Sequence, residues 1–158
     1  MQARLAVVCA LAILAGRIVQ REMQTRCEAT ERAELVDRLR RGGDNLPVVV
    51  SSPLLFLELK HSAPPDLAHR LRYLSDPDAA LKFQCHNTSE LCLVKLQQHI
   101  DLGVAGLAQC AARPGCFLLY EPHGYVLSSL LAAGTSAHAI EGRGAEGLFL
   151  VHSDGAPP

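Results

Sequence analysis

Residues 48–57 read Val48-Val-Val-Ser-Ser-Pro-Leu-Leu-Phe-Leu57. Three β-branched residues in a row suit a short strand. Ser51-Ser52-Pro53 then supplies an N-cap side chain and a proline at the first helical position, where its missing N–H is no loss. A strand therefore leads straight into a helix. The same grammar repeats downstream: Leu71-Arg-Tyr-Leu74 reads as a second strand, and Asp76-Pro77 as a second cap-plus-proline start for a helix over 78–83. Pro64-Pro65 breaks the first helix between them. Two such units in succession predict β-α-β-α, the beginning of a parallel sheet.

Working outward toward the C-terminus, the polar stretch His86-Asn-Thr-Ser89 offers a cap for a helix over 90–100, and Val104, Leu107, Ala108 and Ala111 space out a second helical stripe. Arg113-Pro-Gly115 stops that stripe. Cys116-Phe-Leu-Leu-Tyr120 is a continuous apolar run of strand length bounded by turn residues, the pattern of a strand covered on both faces, so it belongs in the middle of the sheet. A helix over 125–133 ends at Gly134, and strands over 136–141 and 148–152 close the chain around a Gly-rich turn. The order β-α-β-α-α-α-β-α-β-β predicts an α/β fold: a small three-layer, mainly parallel sheet with a C-terminal antiparallel hairpin, preceded by an N-terminal apolar helix.

Composition narrows the function classes. The chain has 158 residues, 49% of them hydrophobic and 20% charged, which is one domain's worth and too apolar for a disordered chain. Aromatic residues are 4%, tryptophan is absent and the net charge is -1, so neither a stacking platform nor a basic stripe is available and nucleic-acid binding is not expected.

Toward the N-terminus the pattern changes. Residues 5–19, behind Met1-Gln-Ala-Arg4, form an apolar run closed by Arg17-Ile-Val19. Its length suits the apolar part of an export signal better than a spanning helix of about 20 residues, yet no clean cleavage site follows. Residues 1–20 are therefore expected to anchor the chain in a membrane, as an anchor helix or as the end of a longer spanning segment. Residues 21–44 alternate in sign from Arg21 and Glu22 to Arg40 and Arg41 around a sparse stripe of Leu35, Val36 and Leu39, a solvated helical connector that Gly42-Gly43 ends. The α/β domain is expected over 45–153, with 154–158 as a tail. Arg17, Arg21 and Arg26 after the run outnumber Arg4 before it, which by itself places the globular part in the cytoplasm.

Several motifs have plain structural readings. Gly142-Arg-Gly144-Ala-Glu-Gly147 matches G-x-G-x-x-G, but the dinucleotide mechanism needs a helix N-terminus after the glycines, and Leu148-Phe-Leu-Val151 reads as a strand; a hairpin turn is expected. Cys85 and Cys92, like Cys110 and Cys116, lack the paired-knuckle spacing of a zinc site, so no metal and no cofactor are expected, although either pair could form a disulfide outside the cytoplasm. Ligands of open α/β sheets sit beyond the carboxyl ends of the strands. Here that edge carries Ser51, Ser52, Asp76, Glu121 and His123, the candidate ligand-binding cluster. Ser51 lacks the G-x-S-x-G elbow of a hydrolase nucleophile, capping accounts for Ser52 and Asp76, and a Pro-Gly turn accounts for Glu121 and His123, so no catalytic residue is assigned.

The order of these segments carries a resemblance. Leu46 through Pro65, the stretch Leu71-Arg-Tyr-Leu-Ser-Asp-Pro-Asp-Ala-Ala-Leu81, Cys116-Phe-Leu-Leu-Tyr120, Val126-Leu-Ser-Ser-Leu-Leu131, Gly134 and residues 148–151 together resemble the C-terminal soluble domain of bacterial polytopic glycosyltransferases of the dolichyl-phosphate-mannose-protein mannosyltransferase type. The likeness runs over residues 5–152, with Ser62 where the family pattern has an aromatic and Tyr125 where it has a tryptophan. It implies a membrane-tethered accessory domain on the periplasmic side, near a lipid-linked sugar or its acceptor. The family's catalytic carboxylates lie in a membrane domain that this sequence does not include, so none is carried over. The competing expectation is an exported stand-alone ligand-binding protein or hydrolase-like enzyme that uses the strand-end cluster.

Overall fold

The computed structural model describes residues 28–43, 45–85, 87–122, 125–143 and 146–154. The expected apolar helix over 1–20 lies outside them. The chain divides into two compact units, Met1–Arg38 and Leu39–Pro158. In the first unit the described residues, from 28 onward, are helical; this helix, α1, runs through 28–41. Among the described residues no helix is long and apolar enough to cross a membrane.

The second unit is a mixed α/β structure. After α1 come β1 (Val48–Val50), α2 (Pro53–Ser62), α3 (Pro65–Arg70), β2 (Leu71–Ser75), α4 (Pro77–Gln84), α5 (Thr88–Gln97), β3 (Val104–Gly106), α6 (Leu107–Ala111), β4 (Gly115–Glu121), α7 (Tyr125–Ala132), β5 (Ser136–Arg143) and β6 (Glu146–Ser153). The six strands form one sheet in the order β3-β2-β1-β4-β6-β5. β1 pairs in parallel with β2 on one side and β4 on the other, β2 pairs in parallel with β3, and β6 runs antiparallel to both β4 and β5. The order reverses direction between β1 and β4, so the chain leaves the carboxyl ends of these two strands into separate helices, α2 and α7.

Burial follows from this order. Successive strand residues point to opposite faces, yet Val48, Val49 and Val50 are all essentially inaccessible, so the sheet is covered on both sides at β1. Val49, Leu74, Phe117, Leu119, Phe149 and Val151 share one core cluster with residues of α4, α6 and α7. On β2, Tyr73 meets the ring of Phe56 from α2 at 5.5 Å. As expected, the 116–120 run is central, and 136–153 is an antiparallel hairpin rather than a nucleotide turn, with β6 following the glycines directly.

Two readings are corrected. Pro64-Pro65 does more than end α2: Pro65 occupies the first position of a second short helix, α3, the same use of proline that starts α2 and α4. The stretch 104–111 is not one helix. Val104–Gly106 adds β3 to the edge of the sheet, and only Leu107–Ala111 is helical. The side-chain Oε1 of Gln97 accepts the backbone N–H groups of Leu102 and Val104, which ties α5 to the entrance of β3, and Gly103 takes a positive φ of 80° in the turn.

Candidate functional site

The strand-end cluster is built by backbone order. Ser51 is the residue after β1 and Glu121 the last residue of β4, and because these strands are paired neighbours both side chains meet at the point of reversal. Ser51 Oγ donates to Glu121 Oε1 at 2.7 Å, with both residues buried. Glu121 Oε2 accepts the backbone N–H groups of Val126 and Leu127 at 3.1 and 3.2 Å. Those are donors in the first turn of α7, which have no partner within the helix, and the partial positive charge of a helix N-terminus favours a carboxylate there. Glu121 is therefore a clasp joining β1, β4 and α7.

The other expected members separate from this pair. Asp76 accepts the N–H of Ala79 at 2.9 Å through Oδ1 and caps α4 as its sequence position predicts. Ser52 stands at the N-cap position of α2, but its side chain makes no capping bond; only its carbonyl enters the helix, accepting from Phe56. His123 lies outside the described residues.

A second buried carboxylate is not singled out by the sequence reading. Glu90, in the first turn of α5, accepts through Oε1 from the hydroxyls of Tyr73 on β2 and of Tyr125 on α7, the latter at 2.8 Å. Burial, reinforced by the hydrogen bond to Glu90, holds both phenols well above the ordinary tyrosine range. Glu90 Oε2 and Ser75 Oγ, the latter at the carboxyl end of β2, are buried without a hydrogen-bond partner. One signal for this cluster was available in the sequence: two of the chain's three tyrosines, Tyr73 and Tyr125, fall at a strand and a helix start that the fold brings to the same edge.

Chemically the edge is occupied with its own structure. Ser51 Oγ donates to a carboxylate whose other oxygen is itself held by two backbone amides, and both residues are buried. Among the described residues no three His, Cys, Asp or Glu side chains are grouped to hold a metal ion, and Cys85, Cys92, Cys110 and Cys116 are free thiols. Comparison with family models, curated proteins and solved structures finds no match to this chain.

Proposed function

We propose that this chain serves as a membrane-tethered accessory domain of a polytopic glycosyltransferase that uses a lipid-linked sugar, and that it carries no catalytic site of its own. The observation that supports this reading is the state of the strand-end edge. Ser51, Asp76 and Glu121 are each engaged in closing a helix or joining a strand to one, so none of these three is held ready for acid–base work on a substrate. The ordered resemblance from Leu46 to residue 151 supplies the class of enzyme. In this reading residues 5–19 hold the membrane, the domain is a three-layer unit preceded by an apolar helix, and its globular part lies on the extracytoplasmic side. A helix that is the last of several spans does not set topology alone, so the arginines after the run do not oppose that placement.

One observation favours the rival reading, an exported stand-alone ligand-binding protein. Ser75 Oγ, at the end of β2, and Glu90 Oε2, in the first turn of α5, are buried with no partner, as groups awaiting a ligand would be. Sequencing the DNA upstream of the Met1 codon separates the two. An in-frame continuation through several apolar spans is the expected result. A stop codon followed by a ribosome-binding site overturns the accessory-domain reading and makes the Ser75–Glu90 edge the site to mutate.

A further inference from the structure

A cavity of about 260 Å³ opens at the opposite edge of the sheet from the Ser51–Glu121 clasp, near the starts of β1, β2 and β4. Its floor is apolar: Val49 of β1, Leu74 of β2 and Phe117 of β4, three buried side chains of one sheet face, with α6 as the facing wall. Its rim is cationic. Arg72 and Arg113 both line it, and among its lining residues none is acidic. The Arg72 side chain is held in place, its Nη1 donating to the carbonyls of His69 and Leu71. Arg113 faces the Cys110 thiol on the α6 wall: burial raises that thiol above its ordinary range, and the charge of Arg113 opposes the rise.

An apolar floor in a cavity lined by two arginines and by no acidic residue fits one ligand chemistry. We propose that this cavity binds a small amphiphilic anion, an apolar body of one ring or a few carbons carrying a single phosphate or carboxylate. Guanidinium groups pair with both head groups through parallel N–H donors, and the body removes its surface from water against Val49, Leu74 and Phe117. The ligand is a free molecule, because a lipid held in a bilayer would present its head group to the rim while its tail stayed away from the floor. This site is independent of the accessory-domain reading and stands whether or not that reading does.

The test is calorimetric titration of the full chain with phenyl phosphate, compared with benzyl alcohol, which keeps the body without the charge, and with inorganic phosphate, which keeps the charge without the body. Saturable one-to-one binding of phenyl phosphate is expected, about tenfold or more tighter than either comparator and weakened about tenfold by Arg113→Gln. Arg113 is exposed, so its replacement leaves the core intact, whereas Arg72→Gln also releases two backbone carbonyls and is read only alongside a melting curve. A measurement on the unaltered chain backs the variants: phenyl phosphate slows alkylation of Cys110, followed by mass spectrometry of the labelled peptides, and leaves Cys85 and Cys92 unprotected. Equal binding of benzyl alcohol or of inorganic phosphate, absence of saturation, or unchanged Cys110 labelling each overturns the proposal.

Discussion

Ser51 Oγ donates to Glu121 Oε1 at 2.7 Å across 70 residues of sequence, a side-chain bond that extends the β1–β4 pairing past the strand ends at the reversal of strand order. Both residues are buried, and the other oxygen of Glu121 already holds two amides of α7, so the clasp links two strands and a helix through a single carboxylate. Its removal should be felt across the fold. Glu121→Gln keeps the size of the side chain but turns an acceptor into an NH₂ group that faces either Ser51 or the α7 amides. A loss of about 2–4 kcal/mol is expected in urea unfolding, and Ser51→Ala should cost about 1–2 kcal/mol. The two losses should not add, since they share one hydrogen bond. A fully additive double variant, or a Glu121→Gln protein as stable as the parent, contradicts the clasp.

The serine and aspartate at the two cap positions predict unequal losses from the same substitution to alanine. Asp76 carries a side-chain bond to Ala79 and Ser52 carries none, although both precede a proline at the first helical position. Asp76→Ala is expected to destabilise by about 1 kcal/mol, and Ser52→Ala by less than about 0.5 kcal/mol. Chemical denaturation of the two variants side by side gives the comparison, and equal losses count against it.

The Tyr73–Glu90–Tyr125 cluster sets the alkaline limit of stability. Both phenols are raised above the usual value near 10, first by burial and then by the bond to Glu90, so above about pH 10 the folded state keeps protons that the unfolded chain releases. The folded state then binds more protons than the unfolded one, and stability falls as pH rises, by roughly 1.4 kcal/mol per pH unit for each tyrosine. Below the ordinary tyrosine range this contribution is fully present. Unfolding curves at pH 8, 10 and 11 should show the decline, and Tyr125→Phe should lessen its steepness while costing about 1 kcal/mol at neutral pH. A stability that stays level to pH 11 contradicts the burial of both hydroxyls.

How much of this was legible in the sequence depended on whether a signal was local. The strand-to-helix turns at Ser51-Ser52-Pro53 and Asp76-Pro77, the central run at 116–120 and the closing hairpin are each written in adjacent residues, and each is where the sequence reads it. β3 was not legible. It is three residues long, Val104-Ala-Gly106, partly exposed at the sheet edge, and it exists because β2 offers it a partner and Gln97 fixes its entrance, neither of which adjacent residues record. The site divides the same way. Glu121 and Ser51 could be placed on one edge from strand order alone, whereas Glu90 required knowing that α5 carries its first turn to Tyr73 and Tyr125, 17 and 35 residues away. The cationic cavity draws Arg72, Cys110 and Arg113 together from β2, α6 and the loop before β4, with no motif to announce it.

The closing hairpin supplies the sharpest backbone prediction. Gly147, the last glycine of the G-x-G-x-x-G match, has a φ of +146° and pairs with both Gly142 on β5 and Glu121 on β4. A Cβ built on it would lie 2.1 Å from the carbonyl oxygen of Glu141 and 2.8 Å from the Cα of Gly142. Both obstacles are backbone, which cannot rotate aside as a side chain would, and the φ itself is one that side chains rarely adopt. Gly147→Ala is therefore expected to cost more than about 2 kcal/mol and to loosen the β5–β6 pairing, whereas Gly115→Ala, where an added methyl meets nothing within 4 Å, should stay within about 0.5 kcal/mol of the parent. Hydrogen exchange on β6 reads the difference directly. Faster exchange at Leu148 to Val151 in the Gly147 variant alone marks the glycine as a requirement of the hairpin's geometry, while a nucleotide-binding role would leave exchange in the unliganded protein as it was.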